Sequence, residues 1–190
     1  FKHLSDLKGR QAAISRYGSG SHLMAYVNAQ NLEWDTVKDL QFEVVKDLDG
    51  AVEALTHQKA DYFMWEKFTT KPFVDQKIFR RLGDCPTPWP CFVLAVRDEF
   101  ITNEKETLKV ILRVINSITA GFKHIPKIDT IISERYRQKN EDVKNWLALT
   151  EWSQQNIQAI TVEAVQDQLL KLDIISKKIP FEQLVTNLDD

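Results

Sequence analysis

Within the first hundred residues, short apolar segments alternate with segments of helical period, and this alternation limits the fold more than any other feature. A strand followed by a crossover helix and a second strand builds β-α-β units around a mainly parallel sheet. Gln11 to Ser15 (QAAIS) reads as a first strand, Gly18-Ser19-Gly20-Ser21 as a tight loop, and Ser21 to Gln30 as a helix with Leu23, Met24 and Val27 on one side. Leu40 to Val45 (LQFEVV) alternates as a second strand, after which Asp49 is expected to cap a helix carrying Val52 and Leu55. Ala60 to Trp65 is a third strand candidate, Phe68 to Gln76 a short helix interrupted early by Pro72, and Phe79 to Leu82 a fourth strand. Cys91 to Val96 (CFVLAV) is unbroken and apolar, as expected of a strand buried on both faces.

The character changes after Arg97. Asn103 to Phe122 reads as one long helix, with Leu108, Ile111, Leu112, Ile115, Thr119 and Phe122 at helical spacing. Ile128 to Gln138, Glu141 to Leu149 and Thr161 to Leu172 read as further helices, the last with Thr161 as N-cap. There is no internal repeat and no linker rich in Gly, Pro or Ser, so the boundary near residue 98 is a change of architecture. The expectation is an α/β lobe over 1–98 with a mixed, mainly parallel sheet, followed by a helical segment over 99–190.

With 25 Lys and Arg against 27 Asp and Glu, the chain has a net charge of −2 and no basic block of the kind that binds nucleic acid. Its apolar stretches fall far short of the ~20 residues of a membrane span, and Phe1 to Arg10 lacks the apolar core of a secretory signal. The two cysteines, Cys85 and Cys91, leave the redox compartment open, and free thiols are favoured over a disulfide, with Cys91 buried in its apolar run.

Three segments could carry chemistry. Tyr17-Gly18-Ser19-Gly20-Ser21-His22 lies between a strand and a helix, where unpaired backbone N–H groups, the positive end of the helix dipole and two hydroxyls suit a small anion. No GK[ST] follows and the G-x-G-x-x-G spacing is absent, so it is neither a P-loop nor a dinucleotide fingerprint; the alternative is an ordinary helix cap, with His22 exposed or capping. Trp65-Glu66-Lys67-Phe68-Thr69-Thr70 ends a strand at the edge where α/β sheets gather ligands, Trp65 and Phe68 offering flat apolar surface and Glu66 and Thr69 an acceptor and a donor. The alternative makes the aromatic pair core anchors and Glu66 a solvated carboxylate. In Cys85-Pro86-Thr87-Pro88-Trp89-Pro90-Cys91, three prolines stiffen a crossing from which Thr87 or Trp89 could reach a ligand, unless the segment is structural only.

Metal and nucleophile chemistry find no support. His3, His22, His57 and His124 have no mutual ligand spacing, neither Cys has a close His, and no zinc-protease, nucleophile-elbow or paired-carboxylate motif occurs. Asp47, Asp49 and Glu53 fit helix-start capping. No cofactor, metal or catalytic residue is expected.

Asp6-Leu7-Lys8-Gly9-Arg10, Gly18-Ser19-Gly20-Ser21-His22 and Ala60-Asp61-Tyr62-Phe63-Met64-Trp65-Glu66-Lys67-Phe68-Thr69 together resemble the substrate-binding proteins of ABC transporters for nitrate, sulfonates, taurine and thiamine precursors. This is the type II periplasmic-binding-protein-like family. Lys67 stands where the family pattern has proline, and the Pro86 to Cys91 stretch resembles a branch with bacterial and fungal members. The resemblance covers residues 4 to 98, and over 99 to 190 only the pattern agrees. It implies two lobes that close on a ligand by hinge motion. Residues 1–98 would be the second lobe, and 99–190 would complete a first lobe whose N-terminal part lies outside this chain. It implies Ser19, Gly20 and Ser21 as donors to the ligand's head and Trp65 as an aromatic wall, with His22, Glu66, Thr69 and Trp89 nearby.

The function implied is capture of a small polar or anionic organic ligand for an ABC-type importer, without catalysis and with a permease as partner. A carboxylate at Glu66 would favour a ligand with an amine or aminopyrimidine over a bare anion. The protein would be periplasmic or lipid-anchored in a bacterium. The alternative is a cytoplasmic, fungal-type ligand-binding or sensor protein without a transporter; a minor one is an enzyme-like protein of thiamine-pyrimidine synthesis.

Overall fold

The computed structural model describes residues 1–188. The chain divides after Pro88 into two compact units.

The first unit is a three-stranded parallel sheet in the order β2-β1-β3, formed by β1 (Gln11–Ile14), β2 (Gln41–Val44) and β3 (Tyr62–Phe63). Helix α1 (Gly20–Asn31) connects β1 to β2 and α2 (Leu48–Thr56) connects β2 to β3. Alternation along a strand decides which helix each residue meets. Ala12 pairs with Phe42 and Tyr62 and shares a cluster with Ala29 of α1, Leu7, Trp34 and Leu40. Ala13 pairs with Glu43 and Phe63 and faces the other way, into a cluster with Val45, Ala51, Ala54 and Ala60. The two helices therefore cover opposite faces of one sheet, as a parallel sheet requires. A short 3-10 helix, Leu4–Leu7, adds Leu7 to the α1 side, and α3 (Lys67–Asp75) follows β3.

The central strand carries alanines where a strand core more often has Val or Ile, and α1 and α2 answer with Ala25, Ala29, Ala51 and Ala54, all buried. Small side chains on both partners let helix and sheet backbones approach closely. Gly50, inside α2, marks the tightest approach, since a Cβ there would lie 1.9 Å from the carbonyl oxygen of Val45.

The second unit is helical: α4 (Asp98–Asn103), α5 (Lys105–Gly121), a 3-10 turn Phe122–His124, α6 (Ile128–Tyr136), α7 (Asn140–Leu149), α8 (Ala159–Lys171) and α9 (Phe181–Leu184). Leu108, Val143, Leu147 and Leu172 are its buried apolar side chains among the described residues. Trp152 stands edge-on to both Phe122 and Trp146. Gln166 is buried and bridges the chain at Ile179, donating Nε2–H to its carbonyl at 3.0 Å and accepting its N–H at 2.7 Å. One face of α5 is left exposed, with Val110, Ile111, Val114 and Ile118 along it.

Several expectations are corrected. Phe79 to Leu82 and Cys91 to Val96 form no strands, and Phe92 is 98% exposed with Val93 and Leu94 also exposed. The apolar run from Cys91 has no strand beside it among the described residues, so neither ladder nor burial follows from its composition, and Cys91 is exposed. Both cysteines are free. The third strand shrinks to two residues. On α1 the buried face is Ala25, Val27, Asn28 and Ala29, with Leu23 and Met24 only half-buried, because the close approach selects small residues. Asp47, not Asp49, caps α2, accepting the Gly50 N–H at 2.9 Å. The helix expected from Asn103 breaks at Glu104, whose ψ of 33° does not continue α4 into α5. Gln158, not Thr161, is the N-cap residue of α8. Pro72 lies within α3 without interrupting it.

In an ordinary helix, Gly to Ala stabilises by roughly 0.5–1 kcal/mol. Gly50→Ala should reverse that sign and destabilise the protein by more than about 1 kcal/mol in urea unfolding, because the methyl group meets backbone that cannot move aside. Unchanged or increased stability would show that α2 does not sit as close to Val45 as described.

Candidate functional site

Three chain segments leave the carboxyl ends of the parallel strands side by side: the loop after β1, the turn after β2 and the start of α3 after β3. That edge is where open α/β sheets hold ligands.

The loop after β1 is fixed by its own hydroxyls. Ser19 is the N-cap of α1 and its Oγ accepts the His22 N–H at 3.3 Å. Ser21 Oγ accepts the N–H of Ser15 at 3.0 Å and lies 3.0 Å from Ser19 Oγ and 3.4 Å from Ser15 Oγ. Both serines are buried, so the hydroxyls tie the end of the central strand to the start of its helix. Gly18 turns the chain at φ +74°, a conformation that costs a residue with a Cβ. What remains unspent are the N–H groups of Gly20 and Ser21, the first two positions of α1, which have no partner among the described residues. The N-terminal end of the dipole adds a partial positive charge there.

His22 is 9% exposed and its Nδ1 accepts the N–H of Gly18 at 3.2 Å. Three rings stand edge-on or nearly so to its imidazole: Phe42 at 4.8 Å, Tyr26 at 5.0 Å and Tyr17 at 5.2 Å between centroids. Burial among them pushes its pKa below the ordinary histidine value of 6.5.

Across β1, on the β3 side, Trp65 is 40% exposed and stacks on Phe63 with centroids 5.0 Å apart and planes 22° from parallel. Glu66 is the N-cap of α3, its Oε2 accepting the Thr69 N–H at 2.7 Å and the Thr69 hydroxyl at 2.8 Å. Acceptor and donor of this pair are thus turned on each other. Trp89 is half-buried in the second unit, with its carbonyl oxygen 3.8 Å from Cys91 Sγ. A hollow of about 240 Å³ lined by Phe1, Asp61, Phe79 and Arg80 lies at the opposite end of the strands and contains none of the candidate residues. No group of three or more His, Cys, Asp or Glu among the described residues could hold a metal ion. Among the described residues, no helix is long and apolar enough to cross a membrane.

A sequence-family model described as Ca3427-like PBP matches residues 2–85. A solved structure of the Candida albicans CA3427 gene product, described as defining a new family with the generic periplasmic binding protein fold, superposes with a TM-score of 0.84 at 23% identity. It is matched over 94% of this chain and 60% of its own. The periplasmic aliphatic sulphonate binding protein SsuA from Escherichia coli superposes with a TM-score of 0.60 at 12% identity, over 98% of this chain and 62% of its own. The chain has the periplasmic-binding-protein fold. It spans about three fifths of the length of each of these structures. No curated protein matches it.

Within that fold the strand-edge loops are arranged as described, and three rings stand around His22 to which the sequence reading gave no role. Phe42 was legible as a strand residue, and its alternation places it on the α1 side of the sheet with His22. Tyr17 stood beside Gly18 in the motif, yet only the turn at Gly18 brings its ring back onto His22. Tyr26 follows His22 by one helical turn, a spacing that could have found it.

The serines carry different loads. Ser19→Ala should cost about 1 kcal/mol as a lost cap. Ser21→Ala should cost about 1–3 kcal/mol, since it leaves the Ser15 N–H without its acceptor. Chemical unfolding of the two variants checks the order, and a larger loss at Ser19 would refute it. His22 contributes stability of its own sign. Its folded pKa is lowered, so the contribution is complete above about pH 6.5 and is lost as pH falls through the folded value. Stability should therefore fall on going from pH 7 to pH 5, and His22→Asn should flatten that part of the profile. An equal slope in the variant would assign the loss to other groups.

Proposed function

We propose that this protein captures a small polar or anionic organic ligand at the strand-edge loops and delivers it to an ABC-type importer. The observation that supports the reading is the pair of unspent N–H groups at the start of α1, set after the central strand and flanked by rings from both neighbouring strands. Backbone donors and flat apolar surface in one place suit a ligand with a charged head and an organic body. The protein works by binding and closure, without bond making. Ser19 and Ser21 shape the loop, Gly20 and Ser21 offer backbone donors and Trp65 is a wall. Glu66 and Thr69 act through α3, and an amine on the ligand is not needed to explain Glu66. Residues 99–190 help complete the other, first lobe, and the exposed apolar face of α5 supports this, since a helix apolar on two sides is built to be covered on both.

The second reading is a fungal-type binding protein without a transporter, which the likeness to the C. albicans structure favours. Fractionation of the source cells separates the two: an extracytoplasmic or lipid-anchored pool fits the importer, a cytosolic pool the alternative.

The binding reading is tested by thermal shift with nitrate, alkanesulfonates, taurine, aromatic carboxylates, aminopyrimidines and polyamines. A ligand at 100 times its dissociation constant adds about 2.7 kcal/mol, a shift of a few degrees in a chain of this size. Trp65→Ala should weaken the best binder by at least ~1 kcal/mol while the protein stays folded. No shift from any compound would overturn the reading, and full affinity in the variant would remove Trp65 from the site.

A further inference from the structure

The hollow of about 240 Å³ at the amino ends of the strands is lined by two opposite charges that do not meet. Asp61 stands just before β3 and is held twice by Gln11: it donates its own N–H to the Gln11 carbonyl at 2.8 Å and accepts the Gln11 N–H on Oδ2 at 3.0 Å. Its Oδ1 has no partner among the described residues. Arg80 donates from Nη2 to the Phe1 carbonyl and pairs with no carboxylate among those residues. A guanidinium has five N–H donors, so most of its fork is unspent. The two charges thus share one hollow and stand too far apart to neutralise each other directly.

Much of the remaining lining is apolar, with Leu55 of α2 and the chain at Ile78 and Phe79. Phe79 is fixed by Phe73 and Phe63, at 5.4 and 6.4 Å between ring centroids, so this wall exists before any ligand arrives. The volume falls short of the roughly 300–1,000 Å³ of common ligand pockets, which limits the occupant to a small molecule. Asp61 and Arg80 are both exposed, so a ligand that carries a single charge gains little from either. A zwitterion that engages both while its side chain covers Phe79 gains from three contacts at once.

We propose that this hollow is a second small-molecule site that takes a zwitterionic, apolar amino acid. Its carboxylate meets the Arg80 guanidinium, its ammonium meets Asp61 Oδ1 and its side chain lies against Ile78 and Phe79. The site is separate from the strand-edge loops, none of whose candidate residues line it, and it does not rest on the importer reading.

The test uses the 190-residue chain with 13C-labelled leucine and isoleucine methyl groups and free L-leucine as the probe. L-Leucine should shift the methyl signals of Leu55 and Ile78 in a saturable way. N-acetyl-L-leucine lacks the ammonium and L-leucinamide lacks the carboxylate, and each should bind at least tenfold more weakly. Asp61→Asn keeps an oxygen for the Gln11 N–H and removes the charge, while Arg80→Gln removes the guanidinium. Either change should weaken L-leucine at least tenfold, and Arg80→Lys should recover part of the second loss. Methyl signals unmoved at the solubility limit of L-leucine would overturn the proposal, as would equal binding of either blocked derivative. Full affinity in a folded Asp61→Asn or Arg80→Gln variant would place the amino acid elsewhere and do the same. Should the variants fail to fold, the two blocked derivatives on the wild-type chain decide. The strand-edge reading stands or falls on its own ligand panel, so failure here leaves it intact.

Discussion

The close approach of helix to sheet on both faces of the central strand governs the first unit. Ala12 and Ala13 point to opposite faces and each meets alanines of a covering helix, so α1 and α2 both lie low on the sheet. Larger side chains would lift the helices and, with them, the starts of α1 and α2 at the strand edge. Because the loop between Ile14 and Gly20 is short, its geometry follows from where α1 sits. Ser21 then locks the arrangement by accepting the Ser15 N–H, which makes the end of the strand and the first turn of the helix one piece. Gly50 does the same work for α2 by leaving room for the Val45 carbonyl.

Legibility in the sequence followed the range of the forces involved. The β-α-β order and both crossover helices were readable, because periodicity and turn residues act over a few residues. The loop Gly18 to His22 was readable as a strand-to-helix turn for the same reason. Helix ends were displaced: Asp47 and Asp49 are both plausible caps by composition, and only the Gly50 N–H decides between them. Cys91 to Val96 misled because a ladder needs a second strand, and an apolar run cannot show whether one is present. The weakly amphipathic α1 also misled, since a helix pressed close to a sheet buries small residues rather than its largest ones.

Of the candidate site, residue types were legible and their loads were not. Ser19, Ser21, Glu66 and Thr69 were read as groups that meet a ligand, with helix capping at the serine loop and a solvated helix-start carboxylate at Glu66 as the alternatives. The structure turns Glu66 and Thr69 on each other and spends the serine hydroxyls inside the loop. Tyr17, Tyr26 and Phe42 come from three different elements, and their convergence on His22 is a tertiary fact that no local pattern contains.

The spent hydroxyls change what kind of recognition is available. A serine that both caps a helix and contacts a ligand must choose between them when the ligand leaves, whereas a backbone N–H held by a serine already engaged keeps its direction in either state. Fixed donors lose little freedom on binding, which is the part of the cost a preformed site avoids. The same logic extends to His22. A ring free to rotate would present either nitrogen, but one held at Nδ1 by Gly18 and flanked by three rings offers a single donor in one direction. A loop held in this way need not rearrange to receive a ligand of the proposed kind, so its rigidity fits a site that is formed before binding.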